Sequence, residues 1–142
     1  MPITPSRPGP APRCAHGFTL IGIMVAIAIV GVLFSLALPA YQSKVLKTKR
    51  YAAQSCLMEY AQYMERWYTT NTSNPMSFTG ATLQASTCKT SLDPDYDIAL
   101  TNLNATTYTL SATAKSGQAR DTGCTALTLA QDASRSPATC WP

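Results

Sequence analysis

The sequence lacks the residues on which most catalytic and metal sites depend. Its single histidine is His16, and its five cysteines contain no Cys-x-x-Cys pair. After residue 17 no histidine remains to act as a general base or a zinc ligand, and there is no glycine-rich phosphate loop. These absences argue against an enzyme, a metal centre and a bound cofactor.

Acidic residues are absent from the first 17 positions, which hold five prolines together with Arg7 and Arg13. Such a segment cannot bury a core and is typical of a leader. Without it, nine basic and seven acidic residues remain, so the net charge is +2. That surplus is too small to predict a surface that binds phosphates, and nucleic acid is therefore not an expected partner.

A long uncharged apolar run is the main feature that is present. Residues 18–38 contain 21 residues without a charge. As a helix they would span about 31 Å, which matches the hydrocarbon core of a bilayer. The run predicts a membrane-spanning segment, and it leaves about 100 residues, enough for one small core.

Apolar residues continue beyond this run at helical spacing. Steps of three, four and seven residues form one stripe, and most of the charged residues fall off it. We predict one helix from about residue 18 to 69, apolar all round at first and then amphipathic, with a kink at Pro39. The stripe consists of Tyr41, Val45, Ala52, Cys56, Tyr60, Met64 and Trp67.

The remaining sequence alternates apolar and polar residues. Strands are predicted around residues 96–100, 108–114 and 127–129, with turn-rich segments between them. Three short strands with short links favour an antiparallel meander, and the helix stripe would cover its apolar face. The predicted fold class is α+β.

The cysteines indicate the compartment. Cys14 lies in the leader-like segment, and an even set of four follows the apolar run. This set predicts two disulfides in an exported domain, with three possible connectivities. Disulfides persist outside the cytoplasm, so the C-terminal part is expected there, although the positive-inside rule would place the basic residues after residue 38 in the cytoplasm. The four cysteines are Cys56, Cys88, Cys124 and Cys140.

Two further clusters allow a functional and a structural interpretation. Four basic residues just after the apolar run could touch DNA or anionic lipid, or could simply be a solvated helix flank. Asp93, Asp95 and Asp97 have the spacing that opens a calcium loop, but Ile98 and Asn104 occupy the positions that need glycine and glutamate. The solvated interpretation is favoured for both. The basic residues are Lys44, Lys47, Lys49 and Arg50.

The N-terminal third of the chain resembles the signature of a known family. The segment GFTLIGIMVAIAIVGVLFSLALPAYQSKV, residues 17–45, resembles the N-terminus of type IV pilins. CLMEYAQYMERWYT at 56–69 and YTLSATAK at 108–115 extend the resemblance, as do Cys124 and Cys140 before the last residues. The chain is similar to the PilE-like minor pilins of Gram-negative bacteria.

This resemblance implies the type IV pilin fold, a long kinked N-terminal helix packed on a small antiparallel β-sheet. Residues 1–17 would be a prepilin leader, and residues 18–38 the transmembrane and filament-core half of the helix. Residues 39–70 would be its amphipathic half, and residues 71–142 the β-sheet region that completes a globular head. The cysteine pairs that the resemblance implies are Cys124–Cys140 and Cys56–Cys88.

The resemblance also implies a processing site. A prepilin peptidase would cut between Gly17 and Phe18, and Phe18 would be N-methylated. Gly22 departs from the family, which has glutamate at this position. In the family, the carboxylate is thought to attract the N-terminal amine of a neighbouring subunit, and an intramembrane carboxylate is usually functional. Gly22 indicates either a tip or priming subunit that works without this pairing, or a chain that assembles poorly.

The predicted function is structural. The chain would be a minor subunit of a type IV pilus and support pilus biogenesis, adhesion, twitching motility or DNA uptake. Its partners would be other pilin subunits, prepilin peptidase and the inner-membrane assembly platform. It would cross the inner membrane once, with a periplasmic C-terminal domain, and then enter an extracellular pilus.

Two alternatives stay open at this point. The chain could be a type II secretion pseudopilin, or a disulfide-bonded binding domain that signal peptidase releases by cutting after residues 35–37. N-terminal sequencing would separate the secreted domain from a pilin, because the first residue would be Leu38 rather than Phe18.

Overall fold

One helix dominates the computed structural model, which describes residues 19–142. Helix α1 spans Leu20–Thr70, and Pro39 lies inside it. The prediction of a single helix that passes through the proline is therefore confirmed, while the kink stays a prediction. The predicted leader, its Cys14 and the proposed cut between Gly17 and Phe18 lie outside the described residues. The chain divides into two compact units between Leu38 and Pro39.

The second unit contains a four-stranded antiparallel meander in the order β1-β2-β3-β4. Its register pairs Ile98 with Ala112 and Ala112 with Leu127, so the apolar faces of three strands coincide. The predicted α+β fold and its meander are confirmed. Strand β4 was outside the prediction, because two residues are too few to show alternation. The strands are β1 (Tyr96–Thr101), β2 (Thr109–Ala114), β3 (Ala126–Ala130) and β4 (Arg135–Ser136).

The core of this unit lies between the sheet and one face of α1. Ala53, Leu57 and Met64 are fully buried on α1, and Leu110 and Leu127 are fully buried on the sheet. Their spacing on α1 follows the helical repeat of 3.6 residues. Burial of these side chains against the sheet is the main force that stabilises the unit.

The predicted stripe is wrong at two positions. Ala52 is exposed and its neighbour Ala53 is buried, while Tyr41 is 70% exposed. The face that contacts the sheet follows residues 53, 57, 60 and 64, so Ala52 falls outside it. Tyr41 has the spacing of a buried residue but is exposed, because the helical period does not show how far along α1 the sheet extends.

The connection between α1 and β1 contains a short helix that the sequence did not predict. Helix α2 spans Thr87–Leu92 and is capped by Ser86, whose Oγ accepts a hydrogen bond from the backbone N–H of Lys89 at 3.2 Å. Upstream of it, the Phe78 ring packs edge-on against Tyr108 with centroids 4.8 Å apart. The connection is thus anchored to the core, and α2 carries Cys88.

Candidate functional site

The first half of α1 presents apolar side chains on every side. Leu20 is 78% exposed and Phe34 is 58% exposed, and no residue between 19 and 43 is charged. This segment is long and apolar enough to cross a membrane, and none of it is buried in the structure. An uncovered surface of this size is stable only in lipid or against other apolar helices.

Helix α1 begins with a side-chain cap. Thr19 precedes its first residue, and the backbone N–H of Gly22 donates to Thr19 Oγ1 at 3.3 Å and to Thr19 O at 2.9 Å. In the capping box, a Glu or Gln at this third position would bond back to the backbone N–H of the cap. Gly22 has no side chain with which to do so. The family glutamate would occupy this same position.

Acidic partners restrain two of the four basic residues that follow the apolar run. Lys49 Nζ lies 2.6 Å from Asp95 Oδ1, and Arg50 Nη1 lies 3.2 Å from Asp121 Oδ2. Lys44 and Lys47 are exposed and form no ion pair with any residue in the 19–142 range. The run of basic residues therefore separates into one restrained pair and one pair free to meet an external anion.

The aspartate cluster is engaged in a similar way. Asp95 pairs with Lys49, and Asp93 Oδ1 lies 3.1 Å from Lys115 Nζ, while Asp97 is exposed on β1. Within the described part of the chain, no group of three acidic, histidine or cysteine side chains is placed to hold a metal ion. Two of the three aspartates therefore form ion pairs between chain segments, and Asp97 lies on the polar face of β1.

Two disulfides join the four cysteines that follow the apolar run. Cys56 on α1 is bonded to Cys88 on α2, and Cys124 is bonded to Cys140. The first ties the long helix to the connection that follows it. The second closes the C-terminal segment, which contains β3 and β4, into a loop.

Two buried glutamine side chains join α1 to other parts of the head, one at Cys140 and one in the turn Ser116–Arg120. Gln54 is 2% exposed, and its Nε2 donates to the carbonyl oxygen of Cys140 at 2.6 Å. Gln118 is 1% exposed, and its Nε2 donates to Leu46 O and to Tyr96 Oη, both at 3.0 Å. The predicted stripe passed through Ala52 rather than Ala53, so the sequence did not mark Gln54 as buried. Gln118 lies in a 3-10 turn with no periodicity, so nothing in the sequence marks it.

Tyr108 is the most strongly perturbed titratable group among those described. Its Oη donates to Glu65 Oε1 at 3.3 Å, and its side chain is buried in the core. Burial, and then the nearby Glu65 carboxylate, raise the pKa of Tyr108 from 10.0 to about 12, because both disfavour the phenolate. The hydrogen bond thus joins α1 to the residue that precedes β2 only while the tyrosine is protonated.

We expect the Tyr108→Phe protein to lose less stability than the wild type in alkali. An unfolded tyrosine ionises near pH 10.0, whereas folded Tyr108 holds its proton to about pH 12. Its contribution is therefore fully present below the unfolded pKa and is lost as the pH rises through that window. Thermal melts of the full chain in detergent, at several pH values across the window, measure the effect. Tyr51→Phe, at an exposed tyrosine, is the control, and parallel wild-type and Tyr108→Phe profiles would contradict the coupling.

Comparison of the sequence with profiles of known protein families identifies the family of this chain. A profile described as type IV minor pilin ComP, DNA uptake sequence receptor, matches residues 39–128. A second profile, the prokaryotic N-terminal methylation motif, matches residues 12–38. The chain belongs to the ComP family of type IV pilins. The predicted membership of the pilin family is confirmed, and the two matches together cover the apolar half of the pilin and most of its head.

Curated relatives agree with this assignment. A fimbrial protein of Pseudomonas aeruginosa is 29% identical over 82 residues, which cover 50% of this pilin and 53% of the relative. The type IV major pilin protein PilE1 of Neisseria gonorrhoeae is 41% identical over 64 residues, 40% of this pilin and 39% of the relative. The pilin therefore spans about half or less of the length of these relatives.

A solved structure agrees with the fold. A type IV pilin from Shewanella oneidensis superposes with a TM-score of 0.54 at 26% identity. The match covers 68% of this pilin and 98% of that chain. The predicted pilin fold is thereby confirmed.

Proposed function

We propose that this pilin is a minor subunit of a type IV pilus that is cut between Gly17 and Phe18 by a prepilin peptidase and N-methylated at Phe18. The observation that carries the proposal is the uncharged apolar half of α1, none of which is buried, followed in the chain by a folded head. Before assembly the bilayer would cover this surface, and in a filament the helices of other pilins would replace the lipid. The assembly platform in the inner membrane would transfer the subunit from the bilayer to the filament.

The two disulfides support a head outside the cytoplasm. Such bonds form and persist in oxidising compartments, and both lie in the unit that follows the apolar half. We therefore propose a single-pass subunit with a periplasmic head that later becomes extracellular. Occurrence in sheared surface filaments favours this pilin role, whereas confinement to the periplasm favours the pseudopilin alternative.

Mass spectrometry of the mature N-terminus tests the processing step. We expect a chain that begins at Phe18 and carries one methyl group. A Gly17→Arg pilin should keep its leader, because a small residue beside the cut leaves room for the peptidase, while Gly9→Arg serves as the control within the leader. A chain that begins at Leu38 would instead favour a secreted domain, and unprocessed wild-type protein would contradict the proposal.

DNA binding is a second candidate function, and one observation favours it. The family that matches residues 39–128 is described as a receptor for a DNA uptake sequence, and Lys44 and Lys47 are exposed without an acidic partner in the described chain. This candidate stands against the expectation from the net charge of +2. In it, the free lysines would contact phosphate groups.

A salt titration of duplex binding tests this second function. With the full pilin in nanodiscs of zwitterionic lipid, the slope of log K against log salt should flatten by about 1.8 in a Lys44→Gln/Lys47→Gln pilin, since each phosphate contact contributes about 0.9. Arg66→Gln, an exposed basic residue elsewhere on α1, is the control. Binding too weak to detect, or a slope unchanged by the double substitution, would exclude these lysines from a DNA site.

A further inference from the structure

An open cavity lies beside the first turns of α1 that follow the apolar half. Its volume is about 280 Å³. Apolar atoms of Tyr41, Val45 and Leu46 form one wall, and the turn Ser116–Arg120 forms the other. The hydrogen bond from Gln118 Nε2 to Leu46 O fixes these two walls to each other. The cavity is therefore a built feature of the head, with an apolar wall and a charged edge.

The charge around this cavity is positive after all nearby ion pairs are formed. Asp95, Asp121 and Asp93 are occupied by Lys49, Arg50 and Lys115, respectively. Among the lining residues, Arg120 is exposed and has no acidic partner in the described chain. The paired Lys49 and Asp95 also line the cavity, so two cations and one anion surround it.

The place of the cavity along α1 favours lipid as the source of the anion. Its lining residue Tyr41 follows Leu38 by three residues, so it lies about 5 Å along the helix from the end of the apolar run. Tyrosine is enriched at that level of a bilayer, and Tyr41 is 70% exposed.

We propose that this cavity receives the headgroup of an anionic phospholipid while the pilin resides in the membrane. The phosphate pairs with Arg120 at the charged edge, and the glycerol and first methylenes of the lipid pack on Tyr41 and Val45. The site holds the head against the bilayer before assembly and is vacated when the subunit is extracted. This inference rests on the membrane-inserted form in the proposed function.

Lipid fits the cavity better than the other phosphate-bearing ligands. Inorganic phosphate would make no use of the apolar wall. A DNA duplex is a stiff rod about 20 Å wide, so its phosphates could reach the basic edge while the cavity stayed empty. Only a phosphate joined to an apolar chain would use both the charge and the wall.

Native mass spectrometry of the full pilin in detergent tests the proposal. The probes are phosphatidylglycerol and phosphatidylcholine with identical acyl chains, added in equal amounts. We expect preferential retention of phosphatidylglycerol, and Arg120→Gln should reduce that preference about fivefold, the usual effect of one basic residue at an anionic surface. Gly117→Phe should lower retention of phosphatidylglycerol without a change of charge, because Gly117 lines the cavity and a Cβ there meets no atom within 4 Å, which leaves space for a ring at the cavity wall.

Arg66→Gln is the control for charge, since it removes one exposed basic residue elsewhere on α1. Equal retention of the two lipids by the wild type would overturn the proposal. An equal effect of Arg66→Gln and Arg120→Gln would also overturn it, because it would indicate diffuse attraction rather than a site. Displacement of the lipid by inorganic phosphate at equal concentration would indicate a free-phosphate site, and displacement by a short duplex would indicate a nucleic-acid surface. Both would overturn the lipid assignment while leaving the pilin role and its N-terminal processing intact.

Discussion

Removing the disulfide between α1 and α2 with Cys56→Ala and Cys88→Ala should lower the free energy of unfolding of the head by about 4 kcal/mol. The two cysteines are 32 positions apart. In the chain-entropy model, the cost of opening a crosslink grows with the length of the loop that it closes. The corresponding pair Cys124→Ala and Cys140→Ala, 16 positions apart, should cost about 3 kcal/mol.

The contacts around the first disulfide add a local consequence. Tyr60 Oη donates to Gln84 O at 2.7 Å, and Ser86 Oγ bonds to Tyr60 Oη at 2.9 Å, so polar bonds join α1 to the same connection. Once the crosslink is removed, these bonds alone oppose separation of α2 from α1. The backbone amides around α2 should therefore exchange with solvent faster than in the wild type, at a stage when the amides of the sheet are still protected.

Thermal melts of the full pilin in detergent measure both disulfides. For a head of about 100 residues, the loss of 3 to 4 kcal/mol corresponds to a fall in Tm of roughly 15 °C or more. Cys14→Ala is the control, because it lies in the segment that processing would remove. Melting of the Cys56→Ala/Cys88→Ala pilin within a few degrees of the wild type would show that the polar contacts alone hold α2.

Restoring the family carboxylate with Gly22→Glu should raise the amount of this pilin in sheared filaments. A charged pair between that carboxylate and a neighbour's N-terminal amine worth about 1 kcal/mol would increase incorporation about fivefold. The site tolerates the change, because a Cβ at Gly22 meets only the Thr19 hydroxyl, at 3.3 Å. Quantitative immunoblots of sheared pili, normalised to total pilin, give the readout.

Two controls separate charge from helix capping. Gly22→Gln can complete the capping box on Thr19 without a charge, so any gain that it shares with Gly22→Glu comes from the cap. Gly31→Glu places the same carboxylate nine residues further along α1, where a Cβ meets no atom within 4 Å, and it should reduce incorporation. If Gly22→Glu leaves the amount of subunit unchanged, the missing carboxylate does not limit assembly, and the interpretation as a tip or priming subunit gains support.

The parts of the fold with regular periodicity could be predicted from the sequence. The long helix and the strands at Tyr96–Thr101, Thr109–Ala114 and Ala126–Ala130 agree with the predicted elements, because half-burial imposes a repeat of 3.6 or of two residues. Helix α2 and strand β4 are too short to show such a repeat. Their existence depends on contacts with distant segments, such as the bond between Cys88 and Cys56.

The candidate site divides in the same way. The apolar run, the departure at Gly22 and the even set of cysteines are visible in the sequence because each depends on residue type and position alone. The run of four basic residues is also visible in the sequence, but the sequence does not show which two of them form ion pairs. Only the folded chain brings Asp95 to Lys49 and Asp121 to Arg50, and these acids lie 46 and 71 positions away.

The sequence by itself thus determined that this chain is a pilin with an apolar helical half long enough to span a membrane and an α+β head that carries four cysteines. These properties follow from local composition, hydrophobic period and a family signature, which need no knowledge of distant neighbours. The tertiary structure alone decided which basic residues stay unpaired and that Arg120 lines a cavity beside α1. It also decided that Gln118 donates a hydrogen bond to Leu46 O and so joins the two walls of that cavity. Ion pairs and cavities depend on distances between segments far apart in the chain, and folding sets those distances.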